Sequence, residues 1–130
     1  MPELTTEEKQ FFATTALSAA KLSTGGGHKG AVLIKCNKLL SIGFVRRIIP
    51  EIEETEISAI YDAIFSSRDV NLDSCEIFSS CFPNKEDLKL MVITGIKKVY
   101  FLGKIDDQKT VKLINIFSQS SIPIEFIRLQ

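Results

Sequence analysis

The chain has 130 residues, 45% hydrophobic and 25% charged, and its 16 Lys and Arg balance its 16 Asp and Glu. That is the size of one domain with a substantial core, and with no basic excess nothing indicates a nucleic-acid partner. No apolar run is long enough to span a bilayer, and Met1-Pro2-Glu3-Leu4 has neither the basic flank nor the apolar core of a signal, so the expectation is one soluble, cytoplasmic domain over residues 1–130 with no membrane association.

Thr5-Thr6-Glu7-Glu8 has the form of a capping box, and Phe11, Phe12, Ala16, Leu17, Ala19 and Ala20 follow at helical spacing, predicting a helix over 6–22. Ser23 to Lys29 holds three consecutive glycines and reads as a loop. Two apolar runs, Ala31–Ile34 and Leu39–Phe44, flank Lys35-Cys36-Asn37-Lys38 and predict a β-hairpin. Ile57, Ile60, Tyr61, Ile64 and Phe65 then recur at i, i+3, i+4, i+7 and i+8, an amphipathic helix. Cys75 to Ser80 reads as a strand, Pro83-Asn84 opens a helix that closes at Gly95, and Lys98–Leu102 reads as a buried strand. Gln108 to Ser118 is a helix and Ile124–Leu129 a last strand. The order α-β-β-α-β-α-β-α-β predicts an α/β domain of three layers, with parallel pairing in its second half.

Gly25-Gly26-Gly27-His28-Lys29-Gly30 is not a phosphate loop, because it lacks the G-x-x-x-x-G-K-S/T spacing and runs into a strand instead of a helix. The three cysteines, Cys36, Cys75 and Cys81, are odd in number and form no C-x-x-C pair, which points to free thiols.

Four stretches, taken in order, resemble the zinc-dependent CMP/dCMP (cytidine) deaminase family. Ala19-Ala20-Lys21 before a polar loop is similar to the family's opening helix. Gly30-Ala31-Val32-Leu33-Ile34 resembles its first strand, and Leu39 to Phe44, ending in Gly43-Phe44, resembles a second strand that typically ends G-Y-N. Thr94-Gly95-Ile96-Lys97-Lys98-Val99-Tyr100-Phe101 resembles its A-G-I-K-R-V-Y segment, and Ile127-Arg128-Leu129 fits its last strand. The resemblance covers nearly the whole chain. It implies a cytidine-deaminase-like domain, a five-stranded mixed sheet between helices. The family's site lies at the N-termini of two neighbouring helices, one opening H-A-E and the other P-C-x-x-C. One imidazole and two thiolates hold Zn²⁺ there and leave a fourth position for water. A glutamate that does not ligate the metal carries protons.

On this sequence the H-A-E positions fall on Glu54-Thr55-Glu56, so the resemblance implies that the proton-carrying glutamate is retained as Glu56 while the histidine ligand has become Glu54. P-C-x-x-C falls on Pro83-Asn84-Lys85-Glu86-Asp87, placing Asn84 and Asp87 where the thiolates would be. The asparagine that the family uses to hold substrate corresponds to Val45. A shifted register would let Cys81 act as one thiolate, with Glu54 and Asp87 completing a zinc site and Glu56 as base. Glu54, Glu56 and Asp87 also suit a hard cation such as Mg²⁺ or Ca²⁺. The plain alternative is that Asn84 and Asp87 form a helix cap and that Glu54 and Glu56 offset a helix N-terminus.

Arg46 and Arg47 follow the second strand and suit a nucleotide phosphate or an RNA backbone, the plain alternative being a solvated basic pair; His28 or Lys29 in the glycine loop is a further candidate for phosphate, the plain alternative being a connector. The leading expectation is a catalytically degenerate deaminase-fold protein, a pseudo-enzyme with no cofactor. It would act as a binding or oligomeric partner, in a homo-oligomer or with an active deaminase. The alternatives are an active metal-dependent deaminase with unorthodox ligands, zinc among them, and a nucleotide-binding sensor.

Overall fold

The computed structural model describes residues 3–23, 28–69, 71–102 and 108–129; the glycines Gly25 to Gly27 lie outside them. Its elements are α1 (Thr6–Ala19), β1 (Gly30–Lys35), β2 (Lys38–Phe44), β3 (Arg46–Arg47), β4 (Glu56–Ile57), α2 (Ala59–Ser67), β5 (Cys75–Ser79), α3 (Lys85–Thr94), β6 (Lys98–Phe101), α4 (Gln108–Ser118) and β7 (Ile124–Phe126), with single 3₁₀ turns at Ala20–Leu22 and Glu53–Thr55. The expected order is present, and a two-stranded ribbon, β3 against β4, is added to it.

Thr5 and Glu8 cap α1 reciprocally: the Thr5 N–H donates to Glu8 Oε1 at 2.8 Å and the Glu8 N–H to Thr5 Oγ1 at 3.1 Å. Cys36 and Asn37, both at positive φ (54° and 61°), form the two-residue turn between β1 and β2. Such turns match the right-handed twist of the flanking strands. The main sheet runs β2-β1-β5-β6-β7; β1 is antiparallel to both neighbours, while β5–β6 and β6–β7 are parallel. β7 ends at Phe126, short of the expected Leu129, where its partner β6 ends at Phe101; the Ile127 N–H still donates to the Phe101 carbonyl at 2.9 Å.

β1 alternates its side chains between two cores. Val32 and Ile34 join Phe12, Ala13 and Ala16 of α1 with Phe78 and Tyr100. Ala31 and Leu33 face the opposite cluster, made with Ile60, Ala63 and Ile64 of α2, Leu88 and Met91 of α3 and Phe117 of α4. The helices reach the sheet closely at two glycines. A Cβ on Gly30 would overlap the Ala16 carbonyl of α1, and one on Gly43 would overlap the Ala59 carbonyl and the Ala63 amide of α2.

One expectation needs correction. Ile57 lies before α2, in the ribbon, and Phe65 is 70% exposed. The buried stripe of α2 is Ala59, Ile60, Asp62, Ala63 and Ile64. The helix is rotated because Asp62, an acid on the inner face, reaches the end of β2. There its Oδ2 accepts the Phe44 N–H at 3.1 Å and its Oδ1 accepts Arg46 Nε at 2.8 Å.

Candidate functional site

α2 and α3 begin beside each other, and one chain of hydrogen bonds joins their first turns. Ser58 is the N-cap of α2, its Oγ accepting the Tyr61 N–H at 3.1 Å. The same hydroxyl donates to Asp87 Oδ1 at 2.5 Å. Asp87 is the third residue of α3, and its Oδ2 accepts the N–H of the N-cap Asn84 at 3.0 Å, while Asn84 Oδ1 accepts the Asp87 N–H at 2.8 Å. A single carboxylate thus closes the capping box of one helix and grips the cap of the other.

The residues singled out in the sequence divide between this junction and its surroundings. Asn84 and Asp87 are in it. Cys81 is half-buried and close enough to Asp87 and Lys29 for each to act on its ionisation. Glu54 sits exposed in the 3₁₀ turn before β4. Glu56 is exposed on β4, opposite Arg47 of β3, two residues before the Ser58 cap and outside α2. The charge of Glu54 therefore lies on the 3₁₀ turn and that of Glu56 on the ribbon, neither in the first turn of the helix. Val45 is buried, its N–H on the Lys29 carbonyl at 3.4 Å. Arg46 is committed to Asp62, a residue only 2% exposed. Arg47 donates from Nη1 to the Pro50 carbonyl at 3.1 Å, and its Nε is buried with no partner among the described residues. His28 is exposed at the edge of the described segment.

Burial pushes the Asp87 carboxyl above the ordinary carboxylate range, against the pull of the Ser58 hydroxyl, the Asn84 amide and Lys29. Burial also raises the Cys81 thiol, an effect that Lys29 lessens and Asp87 reinforces. Both Asp87 oxygens are occupied by protein donors. Among the described residues, no three His, Cys, Asp or Glu side chains gather as a metal site requires. This donor set does not fit tetrahedral zinc.

Two residues central to the region, Ser58 and Asp62, were not among the sequence candidates. Each left a signal: a serine immediately before the first buried helical residue marks a cap, and an aspartate inside an apolar helical stripe requires a buried partner.

No family model matches the chain, and no curated protein matches it in sequence. Solved structures do match in fold. The dCMP deaminase of cyanophage S-TIM5 in its apo form superposes with a TM-score of 0.81 at 20% identity, over 95% of this chain and 100% of that one. RibD of Acinetobacter baumannii gives 0.72 at 18% identity, over 94% of this chain and 35% of its own. Guanine deaminase of Bacillus subtilis gives 0.60 at 23% identity, over 71% of this chain and 62% of its own. The mixed five-stranded sheet with flanking helices is therefore a cytidine-deaminase-like fold.

Proposed function

We propose that the chain is a catalytically degenerate deaminase-fold protein, a pseudo-enzyme that works as a binding or oligomeric partner, either with copies of itself or with an active deaminase. The observation that carries this reading is Asp87. It stands at the position of a metal-binding thiolate in the family that the sequence resembles, and its two oxygens hold the caps of α2 and α3. A residue recruited to the metal would have to release both contacts. Glu56, the match to the proton carrier, supports the same reading, because it lies exposed on the ribbon ahead of the helix.

The reading makes zinc dispensable and turnover absent. Purified protein is supplied with zinc, magnesium or calcium and offered cytidine, dCMP, adenine and guanine derivatives. The expected result is no ammonia release above the uncatalysed rate and less than stoichiometric zinc by elemental analysis. Metal-dependent deamination that Glu56→Gln abolishes without unfolding would overturn the proposal in favour of a hydrolase with unorthodox ligands. A rise in melting temperature with a nucleotide but no turnover would identify a sensor, since a ligand of the folded state stabilises it.

A further inference from the structure

A small cavity of about 70 Å³ lies at the end of the sheet opposite the α2/α3 junction. The junction sits beyond the last residues of β5, whereas the cavity sits at the first residues of β5 and β6. Its walls include Glu3 before α1, Cys36 in the hairpin turn, Ser74 before β5, Glu76 on β5, Lys97 before β6 and Tyr100 on β6. The space holds about five waters, or one organic molecule with about as many heavy atoms. No residue of the walls falls at a position that the resemblance aligns with metal or substrate.

The charges on these walls are oriented but not neutralised. Glu76 is half-buried, and its Oε2 accepts the Tyr100 hydroxyl at 2.9 Å. Tyr100 is 2% exposed and stacks on Phe78 with ring centroids 4.2 Å apart, so the donor is fixed and fixes the carboxylate in turn. Burial, reinforced by Glu76, holds the phenol above its ordinary pKa and keeps it a donor. A neutral hydroxyl orients Glu76 but brings it no positive charge. Lys98 stands across from Glu76 in the parallel β5–β6 pair, yet its ammonium is turned to Glu125 at 2.8 Å and lies over the Tyr100 ring. Among the described residues, Glu76, Glu3 and Lys97 form no ion pair. A half-buried carboxylate is stabilised by a cation, and this fold supplies none. Lys97, exposed on the same walls, can answer an anion.

We propose that this cavity binds a small zwitterion, an α-amino acid of the size of glycine or alanine, with its ammonium on Glu76 and its carboxylate on Lys97. Charge-assisted hydrogen bonds at both ends give such a ligand its orientation. The size selects as strongly as the charge: a pocket for a drug-sized ligand runs to about 300 Å³ or more, so a nucleotide is too large for this one. The inference is independent of the pseudo-enzyme reading, because the cavity shares no residue with the α2/α3 junction.

Amide chemical-shift titration of the full chain with glycine, L-alanine, acetate and methylammonium tests it. Glycine and alanine are expected to saturate shifts at Cys36, Ser74 and Lys97 with a dissociation constant of about a millimolar, in keeping with so few ligand atoms. Acetate and methylammonium, each carrying one of the two charges, are expected to bind about tenfold more weakly or worse. Glu76→Gln keeps an oxygen for the Tyr100 hydroxyl and removes the charge; it is expected to weaken glycine and methylammonium about tenfold and to leave acetate unchanged. Lys97→Ala changes an exposed side chain, keeps the wild-type circular dichroism spectrum, and is expected to weaken glycine and acetate while sparing methylammonium. It carries the test alone if Glu76→Gln does not fold. No saturable shift at tens of millimolar glycine overturns the site. Acetate binding as tightly as glycine, or glycine binding that the variants leave unchanged, overturns the zwitterion.

Discussion

The Ser58 hydroxyl donates to Asp87 Oδ1 at 2.5 Å, and this contact joins the first turn of α2 to the first turn of α3. Asp87 is 5% exposed, so its bonds are shielded from competing water. In the family that the sequence resembles, a metal would bind the same two helix starts. Here side-chain caps hold them.

Removing either partner should therefore cost more than an ordinary surface cap. Asp87→Ala leaves the Ser58 hydroxyl and the Asn84 amide without their acceptor and is expected to destabilise the fold by about 2–3 kcal/mol. Ser58→Ala is expected to cost about 1–2 kcal/mol. The double variant should fall short of the sum, because the shared bond is lost only once. Urea denaturation of the four proteins measures the coupling, and strict additivity would show that the bond does not couple the helices.

Asp62 is the second buried acid with a structural task. It receives the Phe44 N–H, Arg46 Nε and the Ser66 hydroxyl while 2% exposed. Asp62→Ala would strand the half-buried Arg46 charge at the end of β2, and a loss of about 3–5 kcal/mol is expected. Converting Arg46 to Met in the same chain should restore part of that stability. If Asp62→Ala melts like the wild type, the pair is not holding β2 to α2.

Gly43 sets the distance between β2 and α2. A methyl there would collide with the Ala59 carbonyl, which belongs to the rigid first turn of the helix. Gly43→Ala is expected to destabilise by about 3 kcal/mol through overpacking. A thermal melt within a degree of the wild type would contradict this close approach.

The acid limb of stability should report Glu125. Burial alone would raise this carboxyl, but Lys98 at 2.8 Å and Lys9 at 3.0 Å outweigh it, and its pKa lies below the ordinary 4.5. A depressed carboxyl contributes stability that is complete above the unfolded value and is lost as pH falls through the folded one. Glu125→Gln is thus expected to be less stable than the wild type at pH 7 and to converge with it at acid pH. Asp87 has the opposite sign. Its pKa is raised, so its contribution is greatest below the unfolded value near 3.8 and is lost as pH rises through the folded one. Stability curves of Glu125→Gln and Asp87→Asn against pH separate the two; a Glu125→Gln deficit that persists undiminished at acid pH would refute the Glu125 assignment.

Much of the fold could be read from the chain because it depends on local periodicity. The Thr5 and Asn84 caps, the Cys36-Asn37 turn and the alternation of Ala31 to Ile34 between two cores are properties of neighbours in sequence. Their spacing alone determined an α/β domain with parallel pairing in its second half. The sequence also determined which residue types stand at the positions that the resemblance aligns with metal ligands: Glu54, Asn84 and Asp87. What those residues do was decided by the tertiary structure, since the 29 positions between Ser58 and Asp87 vanish only when α2 and α3 pack on the same face of the sheet. The rotation of α2 has the same origin. Phe65 fits the helical period as well as Ile64 does, but Asp62 is held at the end of β2 by Phe44 and Arg46, and that anchor turns Phe65 to solvent. Periodicity fixes which residues share a face; only partners distant in sequence fix where that face points.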